Sequence, residues 1–145
     1  MVFLAEALML WIYHYRKSQN ERGSFKHAII IEEAHHVLSA RKGATFGQET
    51  IIETVIRMIR EFGEAVIASD QEPSKISRSV LANTNCKICF NLGNGWDVKT
   101  MAVAVNLSPE DTRSIDQLKV GHAIVKIIDR FKEPVHIAFP FIPVR

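Results

Sequence analysis

A short apolar run that ends abruptly in two acids is the feature that most restricts how this chain can fold. The run at residues 28–31 shows no alternation of apolar and polar residues, which is typical of a strand buried on both faces of a parallel sheet. A second short apolar run follows at 65–68, and residues 48–62 between them carry apolar side chains at helical spacing. Strand, helix and strand in this order predict a right-handed parallel crossover.

The rest of the chain continues an α/β pattern. Further predicted elements are a largely buried helix at 2–17, a loop at 39–47, a helical turn at 77–81, a half-exposed strand at 86–92, helices beginning at Asp97 and Ser108, and strands at 122–128 and 135–139. Gly63 stands where a left-handed helix C-cap is expected. We therefore predict a mainly parallel sheet with flanking helices and a C-terminal edge hairpin.

Composition narrows the class of protein. The chain has 145 residues, of which 47% are apolar and 23% charged, as in a soluble globular domain with its own core. The net charge of +2 neither requires nor excludes a polyanionic partner. Two cysteines cannot complete a four-cysteine zinc site, and the most apolar stretch, at 2–13, is too short to span a bilayer. We expect a soluble, cytoplasmic protein without a membrane span.

Polar side chains follow both predicted strands at the point where each strand ends. Glu32 and Glu33 leave the first strand, and Asp70 and Gln71 leave the second after Ser69. In an open parallel sheet the carboxyl ends of the strands form the ligand-binding edge. Phosphoryl-transfer sites place there one carboxylate for Mg²⁺ and another that orients or deprotonates the attacking water. The alternative is that the two glutamates merely end a strand at the solvent.

Four segments carry a resemblance to a known family. They are residues 29–35 (IIIEEAH), 60–64 (REFGE), 70–76 (DQEPSKI) and 83–88 (NTNCKI). In order and spacing they resemble the second half of the HerA/FtsK superfamily of hexameric RecA-like ATPases, and the likeness runs from about residue 28 to 139. HerA-type DNA translocases, and the related conjugation and secretion ATPases, are the most similar in appearance.

The resemblance implies a role for each candidate site residue. Glu32 matches the Walker B acid that holds Mg²⁺ through water, and Glu33 matches the catalytic glutamate. Gln71 matches a glutamine that senses the phosphate, so that Glu32, Glu33 and Gln71 would contact ATP and its Mg²⁺. Arg60 matches an arginine near the nucleotide phosphates, acting in its own subunit or in a neighbour. A solvated helix arginine is the simpler alternative for Arg60.

One departure from the family pattern is as informative as the matches. The phosphate-binding loop G-x-x-x-x-G-K-S/T is absent, since none of the seven glycines is followed by Lys and Ser or Thr. We therefore expect residues 1–145 to be a single partial RecA-like ATPase domain whose phosphate loop lies upstream. Such a piece is expected to be inactive alone.

In the full-length context the resemblance implies an ATP-hydrolysing, homo-hexameric motor that moves double-stranded DNA and has a nuclease partner. A conjugation or secretion ATPase, and a non-catalytic assembly module with the same fold, are the alternatives. Cations on flexible loops can contact a DNA backbone, and the candidates are Arg41, Lys42, Lys75 and Arg78. Surface solvation is the simpler explanation for these four side chains.

Two further patterns point to ordinary structural roles. His35 and His36 follow the acids but do not form a metal-binding H-E-x-x-H motif or its inverse. Cys86 and Cys89 are three residues apart on a predicted strand, so that their side chains face opposite sides and a redox pair is disfavoured.

Overall fold

A computed structural model describes residues 2–39 and 50–143 of the chain. The chain divides into two compact units, residues 1–83 and 84–145. Most of the loop predicted at 39–47, with Arg41 and Lys42, and the first residues of the helix predicted from 48 lie outside the described residues.

The first unit contains the predicted crossover. Its elements are α1 (Val2–Gln19), β1 (His27–Ile31), α2 (His35–Leu38), α3 (Ile51–Ile59), β2 (Glu64–Ala68) and α4 (Arg78–Asn83). Strands β1 and β2 pair in parallel, with His27 opposite Glu64 and Ile31 opposite Ala68. The pairing confirms that the two apolar runs form neighbouring parallel strands.

Both ends of helix α3 have well-defined capping structures. At its start Thr50 and Glu53 form a capping box, in which the Glu53 amide donates to the Thr50 hydroxyl and the Thr50 amide donates to the Glu53 carboxylate. A single 3₁₀ turn, Arg60–Phe62, leads to Gly63, whose φ of +82° is the predicted left-handed cap. A Cβ on Gly63 would lie 1.9 Å from the Ser24 carbonyl oxygen, so only glycine fits.

The β1–β2 sheet is buried on one face, not on two as predicted. Ile29, Ile31 and Val66 pack against the core that the helices form, whereas Ile30 is 66% exposed and Ile67 is half exposed. Side chains alternate across a strand, so the second face of a sheet stays open unless another layer covers it. Within the described residues Ile30 and Ile67 lack such a cover.

Helix α1 likewise differs from its predicted burial. It packs on α3, with Met9 in the core, but Phe3, Trp11 and half of its other large apolar side chains are exposed. The apolar spacing correctly predicted a helix. It did not predict burial, because apolar residues lie on more than one face of α1 and only one face is packed.

The described part of the second unit, residues 84–143, is an antiparallel sheet with one α-helix and a short 3₁₀ turn. It comprises β3 (Cys86–Cys89), α5 (Gly95–Val105), β4 (His122–Ile127) and β5 (Val135–Ala138), with the strand order β3-β4-β5. The β4–β5 pair is the predicted C-terminal hairpin. Strand β3 also pairs antiparallel with β4. The described sheets are therefore one parallel pair and a three-stranded antiparallel sheet, so the expectation of a mainly parallel sheet holds only in part.

Local details of the second unit correct the sequence interpretation. Asn94, and not Asp97, caps α5, because its side-chain oxygen accepts from the Trp96 amide. The helix predicted from Ser108 to about residue 118 is only a 3₁₀ turn, Asp111–Ser114, although the Ser108 hydroxyl does accept from the Asp111 amide. The capping residues at this position therefore form a turn that does not continue into an α-helix.

The two cysteines lie on opposite faces of β3, as its alternation predicts. Cys86 is exposed and Cys89 is buried, where burial raises the pKa of the Cys89 thiol to about 11. Lys87 is also buried, and burial lowers its pKa, while Ile88 is about half exposed. No helix in the described ranges, 2–39 and 50–143, has the length and apolar character needed to cross a membrane.

Candidate functional site

The loops that follow β1 and β2 remain side by side beyond the ends of the strands. The Ser69 amide donates to the Ile31 carbonyl at 2.9 Å, and the Ala34 amide donates to the Ser69 carbonyl at 3.1 Å. These bonds extend the parallel ladder by one step. The residues that leave the two strands therefore share one edge of the sheet.

Glu33 and Gln71 meet at this edge. The Gln71 side-chain amide donates to Glu33 Oε1 at 3.1 Å, and both side chains are exposed to solvent. Glu33 has a φ of +47°, in the left-handed region that residues with a Cβ rarely adopt. Because such a conformation costs energy, it persists only where neighbouring bonds fix it.

Asp70 supplies part of that fixation from the second loop. Its carboxylate is 3% exposed and accepts the His35 amide at 2.6 Å, the His35 Nδ1 at 2.9 Å and the Glu72 amide at 2.7 Å. Burial acts to raise the pKa of Asp70. The bonds from Glu72 and His35 outweigh burial, and the pKa is lowered overall. Asp70 is therefore a buried, ionised acceptor.

Glu32 follows β1 directly and is exposed. Mg²⁺ prefers one or two carboxylates, waters and phosphate oxygens, so the adjacent exposed carboxylates of Glu32 and Glu33 fit a water-mediated ion. Glu33, His35 and Asp70 also offer three ligand atoms within 4.8 Å of one another. In that group the Asp70 oxygens are already occupied by N–H donors, which makes it a poorer cation site than the open pair.

Arg60 is placed apart from these residues. It begins the 3₁₀ turn that precedes β2, whereas Gln71 follows the opposite end of the same strand. Four residue steps along β2 span about 13 Å. The structure thus brings Glu33 and Gln71 together beside Glu32, and it places exposed Arg60 at the other end of the strand.

The cationic candidates outside the loop at 39–47 lie after the second strand. Lys75 Nζ lies 2.7 Å from a Glu72 carboxylate oxygen, and Arg78 is an exposed residue at the start of α4. The ion pair between Lys75 and Glu72 reduces the positive charge that Lys75 presents to a phosphate group. Arg78 is the better placed of the two for a solvent-borne polyanion.

Sequence reasoning did not assign a role to Asp70. The available signal was its position, directly before Gln71 and after an apolar strand, where a short polar side chain can accept backbone N–H groups. It also missed a cavity of about 510 Å³ in the second unit, where His122 and His136 approach to 3.1 Å between ring nitrogens. That cavity contains none of the predicted site residues.

The left-handed conformation of Glu33 leads to a stability prediction. Glu33→Ala keeps the Cβ, whereas Glu33→Gly removes it, so we expect the free energy of unfolding to be about 0.5–1 kcal/mol higher for Glu33→Gly after the greater chain entropy of glycine is subtracted. Urea unfolding of both variants, followed by far-ultraviolet circular dichroism, measures the difference. A Glu33→Gly variant less stable than Glu33→Ala would show that this conformation carries no strain.

Known proteins resemble this chain in structure but not in sequence. No protein-family model matches the chain, and no curated protein matches it in sequence. Solved structures do match. The genome packaging NTPase B204 from Sulfolobus turreted icosahedral virus 2, in complex with AMPPCP, aligns with 80% of this chain at a TM-score of 0.61 and 17% identity. VirB4 of Thermoanaerobacter pseudethanolicus aligns with 96% at a TM-score of 0.68 and 14% identity.

These likenesses decide the fold. The chain has the fold of the corresponding part of B204 and of VirB4. It spans 53% of the length of B204 and 37% of the length of VirB4. B204 of this virus is known in complexes with AMP, AMPPCP and ATP-gammaS, and B204 from Sulfolobus Turreted Icosahedral Virus is described as a DNA-packaging ATPase. The resemblance carried by the four sequence segments is therefore confirmed for the fold.

Proposed function

We propose that this chain is the catalytic-edge half of an ATP-hydrolysing motor domain. The observation that carries the proposal is the contact between Gln71 and Glu33 at the carboxyl ends of two parallel strands. A carboxylate and a neutral amide on one open edge are the groups that a hydrolytic phosphoryl-transfer site needs. The fold shared with nucleotide-bound B204 supports the same assignment.

Glu33 is the general base in this proposal. Its side chain is half exposed, so a water molecule can reach its carboxylate. Glu33 takes a proton from the water as that water attacks the γ-phosphate of ATP. Only a carboxylate can accept this proton, so the reaction requires the ionised form of Glu33.

Gln71 links the base to the state of the nucleotide. Its amide group now donates to Glu33 Oε1, and an amide can equally donate to a phosphate oxygen without adding charge. When Gln71 turns to the terminal phosphate, Oε1 of Glu33 becomes free for the water. Glu32 would hold Mg²⁺ through water, and the ion, when bound, supplies charge neutralisation for the phosphates.

Arg60 is proposed to serve a neighbouring subunit. It precedes β2, a strand about 13 Å long, and therefore lies at the end of the strand opposite the Glu33 edge. In a homo-hexameric ring, the arginine of one subunit can face the nucleotide of the next. Its guanidinium then stabilises the charge that develops on the transferring phosphoryl group.

Double-stranded DNA is the proposed cargo of a HerA-type hexamer, with a nuclease as a further partner. The description of B204 as a genome packaging and DNA-packaging enzyme favours DNA over a protein cargo. A conjugation or secretion ATPase is the second candidate, because VirB4 shares the fold over nearly the whole chain. A non-catalytic assembly module is the third.

The test is ATP hydrolysis by the intact ATPase that contains this chain, with and without duplex DNA. We expect hydrolysis that duplex DNA stimulates and that rising salt weakens, because phosphate contacts release counterions. Hydrolysis without any response to DNA would favour the secretion motor. Nucleotide binding without turnover, with or without DNA, would favour the assembly module.

A further inference from the structure

We propose that Asp70 is a positioning residue that fixes the two loops carrying Glu33 and Gln71; this inference rests on the proposed function. Asp70 directly precedes Gln71, and its carboxylate crosses to the opposite loop to accept two N–H groups of His35. His35 lies two residues after Glu33. A single buried side chain thus connects the residues that flank both proposed functional groups.

The donors around Asp70 show that it orders both loops at once. The His35 amide and Nδ1 hold the first loop, and the Glu72 amide closes a turn of the second loop around Gln71. Oδ2 accepts from the first loop, whereas Oδ1 accepts the Glu72 amide of the second loop and also lies 3.2 Å from His35 Nδ1. Loss of Oδ2 as an acceptor would free the His35 amide, and loss of Oδ1 would free the Glu72 amide.

Glu33 is the residue most sensitive to such a release. Its positive φ is maintained by the bonds on its C-terminal side, from Ala34 to Ser69 and from His35 to Asp70. The first of these is a backbone pair that any sequence could form. The second depends on the side chain of residue 70, so Asp70 is the part of the clamp that this sequence specifies.

The same donors distinguish a positioning role from metal binding. A cation shared by Glu33, His35 and Asp70 would face the amide N–H groups of His35 and Glu72, which already point at the carboxylate. It would also need Nδ1 of His35 without its proton, whereas the 2.9 Å contact with Asp70 is a donor's position. The arrangement therefore favours a fixed acceptor over a metal ligand.

Hydrogen exchange on the 145-residue chain tests the clamp without any assumption about activity. In Asp70→Asn we expect the His35 and Glu72 amides to exchange at least about tenfold faster, because their acceptor is weakened. The amides within the β1–β2 ladder, as internal controls, should keep their protection. Unchanged exchange at His35 and Glu72 in a folded Asp70→Asn variant would overturn the proposal.

Kinetics of the intact ATPase test the consequence. We expect Asp70→Asn and His35→Ala each to lower kcat by roughly 10- to 100-fold while KM for ATP changes less than about threefold, as for a misplaced catalytic group. His35→Asn should recover most of kcat, because its amide nitrogen can stand where Nδ1 stands. His36→Ala, an exposed neighbour, is the matched control and should retain the wild-type rate.

The outcomes separate the two proposals. If the wild-type enzyme hydrolyses ATP and Asp70→Asn does so equally well, the positioning role is wrong and the motor function stands. If the wild type hydrolyses no ATP, the proposed function fails, and the exchange experiment still decides whether Asp70 clamps the loops. If Asp70→Asn does not fold, the His35→Ala and His35→Asn pair decides: equal kcat values in these two variants would overturn the proposal. Tight Mn²⁺ or Zn²⁺ binding by the 145-residue chain that Asp70→Asn abolishes would also overturn it.

Discussion

Exchanging Glu33 for glutamine in the intact ATPase is expected to lower kcat by roughly 10²–10⁴-fold, the usual contribution of a positioned general base. The substitution keeps the size of the side chain, and its oxygen can still accept from Gln71, so the edge should keep its shape. What is lost is the capacity to take a proton from water. Steady-state hydrolysis of ATP at saturating substrate measures the effect.

Nucleotide binding separates a catalytic defect from a structural one. ATP affinity, measured by calorimetry under the same conditions, should change by less than about threefold, because the base contacts the water and not the phosphates in the ground state. Glu61→Gln is the matched control, since Glu61 is an exposed acid in the turn at the opposite end of β2. A Glu33→Gln enzyme with the rate of the Glu61→Gln control would remove Glu33 from the mechanism.

The meeting of Glu33 and Gln71 was predictable because it depends on topology more than on side-chain detail. Two short apolar runs around one amphipathic helix leave few arrangements other than a parallel crossover, and parallel strands deliver their C-terminal residues to one edge. The observed register, with Ile31 opposite Ala68, is what brings the residues that follow to the same level. Local pattern and chain connectivity were sufficient for this step.

The clamp on Asp70 was not predictable in the same way. Whether Asp70 points into solvent or crosses to His35 depends on the left-handed turn at Glu33, and a glutamate carries no signal for a positive φ. The sequence pattern also could not predict whether one face of β1 is buried or both. An apolar run such as 28–31 is compatible with burial on both faces, but it does not show whether a second layer covers the sheet.

Glu64 is the clearest case of a tertiary effect that the sequence pattern conceals. A charged residue at the start of a strand is normally solvated, yet the Glu64 side chain is fully buried and pairs with Arg16 of α1. His27 Nδ1 of β1 lies 2.5 Å from the second carboxylate oxygen and 3.2 Å from Arg16, although that oxygen accepts no hydrogen bond from the described residues. The three side chains tie α1, β1 and β2 together at the end of the sheet opposite Glu33.

Glu64→Gln is therefore expected to lower the free energy of unfolding of the first unit by about 2–3 kcal/mol, somewhat below the cost of breaking a fully buried ion pair because Arg16 and His27 remain partly solvated. The amide fills the same space, so the loss comes from the charge and its hydrogen bonds. Urea unfolding followed by Trp11 fluorescence in a Trp96→Phe background reports on the first unit alone.

Glu61→Gln serves again as the comparison. Glu61 lies three residues before Glu64 and forms an exposed ion pair with Arg22 at 3.7 Å. Exposed pairs contribute about 0–1 kcal/mol, so Glu61→Gln should leave the unfolding free energy within about 0.5 kcal/mol of the wild type. Two glutamates in one short segment thus differ in effect only through burial. Equal stabilities for Glu64→Gln and Glu61→Gln would mean that the Arg16–Glu64–His27 cluster does not hold the strand ends together.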